Sequence, residues 1–265
     1  MNAPALGAHV DQSDPIGAAA ARKVPVVQFF LGDPQGYQGP EVRYPGGAAA
    51  LREAAERAGV DLYVHAPYII NVATLNNRIR IPSRKLLQQH MDAATEIGAK
   101  GLIVHGGHVN AKDDPGTGFD NWRKAVEATT ITTPLLIENT AGGDHAMTRH
   151  LERIAGVWDA IRSAEGADQV GFCLDTCHAW AGGLELGSVV ERVLAITGRI
   201  DLVHLNDSRD TAGSGADRHA NLGDGTVPAQ ELVDVVRAAG APVVLETPGG
   251  TNEHLADLGW LRSRL

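Results

Sequence analysis

The chain has 265 residues, a length that two ordinary domains or one α/β barrel of about 250 residues would fill, and it reads as one domain spanning 1–265. Lys and Arg number 23 against 32 Asp and Glu, a net charge of −9, so a polyanionic partner is disfavoured unless bound cations reverse the sign locally. The opening MNAPALGAHV has no basic region leading into an apolar stretch, and no run approaches about 18 apolar residues; neither secretion nor membrane insertion is signalled, and a cytoplasmic protein is expected.

Apolar runs rich in Val, Ile and Leu alternate with segments of helical period. A strand over 6–10 leads to a helix over 13–22 opened by Ser13, and a strand over 26–30 to a helix over 46–58 stopped by Gly59. The strand at 62–66 precedes a helix at 83–97, opened by Ser83 and closed by Gly98; the strand at 101–105 precedes a helix at 119–129. Next come strand 135–138 with helix 146–164, and strand 170–175 with helix 187–197. Strand 200–205 is followed by helix 228–239, between Pro228 and Gly240, and strand 242–246 by helix 252–263. Strand then helix, eight times over, predicts parallel strands closed into a (β/α)8 TIM barrel. The longest connections, 31–45, 67–82, 106–118 and 206–227, each follow a strand and precede a helix, which places them on the C-terminal face where barrel enzymes carry their chemistry.

Six of the apolar runs end in a histidine or an acid: LYVHAPY at His65, GLIVHGG at His105, LLIENT at Glu138, FCLDTCH at Asp175 and His178, LVHLNDS at His204, and VVLETP at Glu246. Asp217 and His219 follow in DRHANLG. A buried strand disfavours such side chains, so their recurrence at one end of successive strands points to a shared polar site. Imidazole and carboxylate together suit zinc, and nine donors exceed what one tetrahedral ion needs, which implies two or three. Three ions against the carboxylates of Glu138, Asp175, Asp217 and Glu246 would leave a locally positive pocket that attracts phosphate. Cys173 and Cys177 fall on one strand segment about 13 Å apart, too far for a disulfide, and read as reduced, buried side chains rather than ligands.

HAPYIIN, the histidine of IVHGG, LIENTAG, LDTCHAW, HLNDS, DRHANLG and LETPG, in this order over nearly the whole chain, resemble the endonuclease IV family of apurinic/apyrimidinic endonucleases. The resemblance implies a TIM barrel with three Zn2+, one held by His65, His105 and Glu138, a second by Glu138, Asp175, His204 and Glu246, and a third by His178, Asp217 and His219, with Mn2+ an alternative occupant of one site. It further implies hydrolysis of the phosphodiester 5′ to an abasic site in double-stranded DNA during base excision repair, with Glu138, His178, Asp217 and Glu246 as the expected catalytic members. Tyr68 matches the family's intercalating aromatic, while Gln35 and Tyr37 stand where the family usually shows Arg and Trp, and complete the expected DNA contacts. Gly106 replaces a usual proline, which frees the turn backbone. His108 has no counterpart among the family's ligands and reads as a rim residue; His9 reads as an orienting partner; His90, His145, His150 and His254 read as solvated. A monomer is expected.

Two other functions fit parts of the pattern. A divalent-metal sugar isomerase or epimerase of the related barrels would use mainly carboxylates and leave DTCH and DRH without a task. A non-catalytic DNA-lesion binder should have lost a metal ligand, and none is missing. A Schiff-base lyase lacks a lysine at a strand end.

Overall fold

The computed structural model describes residues 3–143 and 145–265; Met1, Asn2 and Asp144 lie outside the described residues, so the 1–265 domain span is described only in part. The strands are β1 (Leu6–His9), β2 (Val26–Phe30), β3 (Asp61–His65), β4 (Gly101–His105), β5 (Leu135–Glu138), β6 (Val170–Asp175), β7 (Leu202–His204), β8 (Asp207–Ser208), β9 (His219–Ala220) and β10 (Val243–Leu245). β1 to β7 and β10 pair in parallel around a closed barrel, and β8 and β9 form a small antiparallel pair in the loop after β7. The helices are α1 (Pro15–Arg22), α2 (Gly47–Ala58), α3 (Asn77–Glu96), α4 (Pro115–Ala128), α5 (Leu151–Ile161), α6 (Thr176–Gly182), α7 (Leu186–Thr197), α8 (Ala229–Ala239) and α9 (Thr251–Arg262). The predicted TIM barrel is present.

Local differences have local causes. α3 starts at Asn77 rather than Ser83, because the Asn76 side chain caps it and Pro82 is carried inside the helix. Ser83 is fully buried, and its hydroxyl accepts from the Asn71 amide in the loop after β3. α4 starts at Pro115 behind the Asp114 cap, a normal place for proline since its missing N–H has no helical acceptor there. α5 starts only at Leu151, for residues 146–148 are used elsewhere: Met147 N–H donates to Gly107 O and Thr140 N–H to Thr148 O. α6 had no sequence signal of its own; Asp175 ends β6 and caps α6 by accepting from His178 N–H at 2.6 Å. Cys177 therefore sits on a helix and not on the β6 strand; both cysteines are free and buried, and burial pushes their thiols up to about 12.

The barrel interior explains where the site lies. Val26, Tyr63, Ile103, Leu136, Cys173, Leu202 and Val244 form an apolar cluster separate from the larger core between strands and helices. Side chains along a strand alternate faces, so the residue two positions on faces the same way. Two positions beyond these seven stand Gln28, His65, His105, Glu138, Asp175, His204 and Glu246. The strands thus carry an apolar plug with a polar floor above it, at the C-terminal mouth.

A candidate metal centre at the barrel mouth

Glu138 is fully buried at the middle of this floor. Its Oε2 lies 3.1 Å from His65 Nε2 and 3.4 Å from His105 Nε2, while Oε1 lies 3.0 Å from His204 Nδ1 and 3.2 Å from His178 Nδ1. Each carboxylate oxygen therefore faces two imidazoles, an arrangement suited to bridging two cations. His204 Nδ1 also lies 3.3 Å from Glu246 Oε2. In the loop after β7, Asp217 stands between two histidines, 3.1 Å from His178 Nε2 and 3.2 Å from His219 Nε2.

All nine sequence-selected donors converge. Three groups have their donor atoms within 4.8 Å of one another: His65, His105 and Glu138; Glu138, Asp175, His204 and Glu246; and His178, Asp217 and His219. Cys177 falls within the same distance of Asp175 and His219, nearer the cluster than its expected role as a mere packing residue. Backbone carbonyls orient the rings, with His65 Nδ1 2.7 Å from Ala66 O and His178 Nδ1 2.9 Å from Asn139 O. Asn206 donates to Asp175 Oδ2 at 2.7 Å.

The donor set fits divalent cations. Burial alone would lower the imidazoles and raise the acids, yet their mutual attraction prevails at most positions. Despite burial, Asp175 and its neighbours hold His178 well above the ordinary histidine value, and Asp217 and Asp175 bring His219 to about 9. Against their own burial, Glu138 and Glu246 stay below the usual carboxylate range, Glu138 through His204 and His105, and Glu246 chiefly through His204. Asp175 is the exception, raised by burial that its histidines do not overcome. Without cations, protons on buried imidazoles must balance buried carboxylates, and metal ions would displace those protons. His219 Nε2 is buried and faces the carboxylates of Asp217 and Asp175 at 3.2 and 3.8 Å, where a cation held between them would take it as a ligand.

The loop that brings Asp217 and His219 to the site is organised by Asp207, which sequence reading passed over. This fully buried carboxylate accepts from the amides of Gly223, Gly225 and Val227 at 3.0, 3.1 and 3.0 Å. A Cβ at Gly225 would sit 2.2 Å from Asp207 Oδ1, so only glycine admits this approach. Asp207→Ala leaves these three amides and that of Ser208 without their acceptor, a cost of about 3 kcal/mol or more. Thermal unfolding of the metal-free protein should fall by roughly 5–10 °C; an unchanged Tm would contradict this role.

Tyr68 and Tyr37 are about half exposed on the rim, and Gln35 is exposed beside them. Tyr68 N–H donates to Pro34 O, tying its loop to that of Gln35, and its ring lies 5.3 Å edge-on from His65. A cavity of about 700 Å³ opens beside His105, with Tyr68, Ile70, Val109 and Thr140 in its wall. His108 is exposed on that wall and meets Asn71 rather than the nine donors. His9 lies 3.6 Å from Glu246 Oε1. Three other expectations fail. His90 and His254 are buried, not solvated: His90 Nδ1 faces Leu86 O at 3.0 Å, and His254 accepts from Arg22 Nε at 2.9 Å. The positive φ after His105 belongs to Gly107, whereas Gly106 is required because a Cβ there would come within 2.2 Å of Thr148 Oγ1.

Residues 16–264 match the xylose isomerase-like TIM barrel family. The chain is 52% identical over 260 residues to a probable endonuclease 4 of Mycobacterium marinum, and 54% identical over 259 residues to that of Mycobacterium leprae, covering 98% of each pair. Among solved structures, endonuclease IV from Thermus thermophilus superposes with a TM-score of 0.84 at 27% identity, over 98% of both chains. A D-tagatose 3-epimerase-like protein shares the fold at a TM-score of 0.78 and 18% identity, covering 98% of this chain and 96% of that one. Identity above half along the whole length, carried on a barrel whose mouth gathers every donor of the motifs, places the chain in the endonuclease IV family of the xylose isomerase-like TIM barrels.

Proposed function

We propose that the protein is a zinc-dependent endonuclease that hydrolyses the phosphodiester 5′ to an abasic site in duplex DNA, leaving a 3′-hydroxyl and a 5′-deoxyribose phosphate. The observation that carries the reading is Glu138, whose two oxygens each face two imidazoles at the centre of nine convergent donors. His65, His105 and Glu138 would hold one Zn2+, Glu138, Asp175, His204 and Glu246 a second, and His178, Asp217 and His219 a third. Mn2+ is an alternative at one of them. Bound there, such ions polarise the phosphoryl oxygens, make water a nucleophile near neutral pH and stabilise the departing oxygen.

The chain's own residues supply the rest. Glu138 and Glu246 anchor the buried floor, and His178 and Asp217 present the third group from the loop side. In the net reaction water adds to phosphorus, the bond from phosphorus to the 3′ oxygen breaks, and the water's proton ends on that oxygen. No protein nucleophile is required. The reading extends to a monomeric cytoplasmic enzyme in which 1–265 act as one catalytic unit.

Tyr68, with Gln35 and Tyr37 beside it, is suited to fill the gap left when the abasic nucleotide leaves the stack. Loss of one aromatic stacking contact costs about 1–3 kcal/mol. Tyr68→Ala should therefore weaken binding to abasic over intact duplex by roughly tenfold or more; unchanged preference would remove Tyr68 from lesion recognition.

A sugar isomerase or epimerase shares the fold but leaves the His178, Asp217 and His219 group without a task. The deciding assay incubates the protein with a duplex carrying one abasic site, beside a panel of ketoses. Cleavage 5′ to the lesion with a 3′-hydroxyl product is expected. Sugar turnover without strand scission overturns the proposal.

A further inference from the structure

Gln28 interrupts the apolar run VVQFF of β2 with a side chain that is fully buried in the floor of the site. A buried amide is costly unless hydrogen-bonded, and this one is bonded at both ends. Its Oε1 lies 2.7 Å from His204 Nε2, while its Nε2 donates to Glu246 Oε1 at 2.6 Å and lies 3.0 Å from His9 Nδ1. The orientation is fixed by chemistry. An amide oxygen only accepts and an amide nitrogen only donates, so a reversed amide would set its NH2 against the ring N–H and its oxygen against a carboxylate.

The consequences for both ligands are specific. Because Gln28 Oε1 accepts, His204 must carry hydrogen on Nε2, which leaves Nδ1 as its coordinating nitrogen. That nitrogen is the one 3.0 Å from Glu138 Oε1 and 3.3 Å from Glu246 Oε2. Because the Gln28 NH2 occupies Glu246 Oε1, it is Oε2 that Glu246 turns toward His204. His9 sits opposite Gln28 in the β1–β2 register and receives the second amide hydrogen, so the amide cannot rotate away.

We infer that Gln28 is the positioning residue of one ion site, that of Asp175, His204 and Glu246, setting the ring face of one ligand and the oxygen of another through a single amide. The inference rests on the metal reading above. It is also selective: among the described residues Gln28 bonds to His204, Glu246 and His9 but not to His65, His105, His178, Asp217 or His219, whose orienting partners are backbone carbonyls and other side chains.

The test is zinc binding to the full chain, by stoichiometry after dialysis and by competition with a chromophoric chelator. Gln28→Met keeps the length and removes all three hydrogen bonds; Gln28→Ala removes them and leaves room for water. Circular dichroism of the metal-free proteins checks the fold. Losing an orienting partner of a ligand typically costs 10–100-fold in metal affinity. Both variants should retain two of three zinc ions at wild-type affinity and bind the remaining one at least about tenfold more weakly. Three zinc ions held as tightly as in the wild type would overturn the inference, and so would equal weakening of all three, which marks a merely structural role. A wild-type chain that binds no zinc would instead sink the metal reading itself.

Discussion

Glu138→Gln should leave the barrel folded and abolish strand scission. The substitution keeps the shape of the side chain within β5 but removes the charge that faces His65, His105, His178 and His204 together. An amide presents one oxygen and one NH2, so it cannot bridge two cations as a carboxylate does. Two of the three donor groups contain Glu138, and both would be damaged by one change. Loss of several kcal/mol of transition-state stabilisation corresponds to a rate lower by about 10³-fold or more. Single-turnover scission of an abasic duplex, with circular dichroism as the folding control, checks this. A rate within tenfold of the wild type would show that the bridge is not used.

Stripping metal with a strong chelator should both silence the protein and destabilise it. Among the described residues the ion-pair partners of Glu138, Asp175, Asp217 and Glu246 are all imidazoles, so the negative charge of the site relies on protons or cations for balance. A cation present at about 100 times its Kd contributes about 2.7 kcal/mol by mass action, and several sites add to one another. At about 2–4 °C per kcal/mol for a chain of this size, Tm should fall by roughly 10 °C or more. Zinc should restore both properties, whereas magnesium should not, since a histidine-rich donor set favours the softer ion. Equal Tm values with and without chelator would argue that the cluster holds no stabilising cation.

The barrel and the nine donors were legible because both depend on local pattern. Each strand is a short apolar run, and in a barrel its C-terminal end opens on the mouth, so a histidine or acid there announces itself without a structure. What escaped depends on tertiary contacts. Gln28 is chemically unlike a ligand, and only the bonds to His204 and Glu246 give it meaning. Asp207 reads as one more loop acid until its three amide partners, from 16 to 20 residues away, are seen. His254 looked solvated because nothing local signals that Arg22, 232 residues away, closes over it. The helix expected to open at Ser83 starts at Asn77 instead, since the Asn76 side chain caps it there and the helix runs on through Pro82.

Elemental analysis of the full chain, purified without added metal or chelator, tests the central claim most directly. Three zinc ions per chain, falling in step with scission activity as chelator is titrated in, is the predicted result. Scission that persists in a preparation holding less than one divalent ion per chain would contradict it.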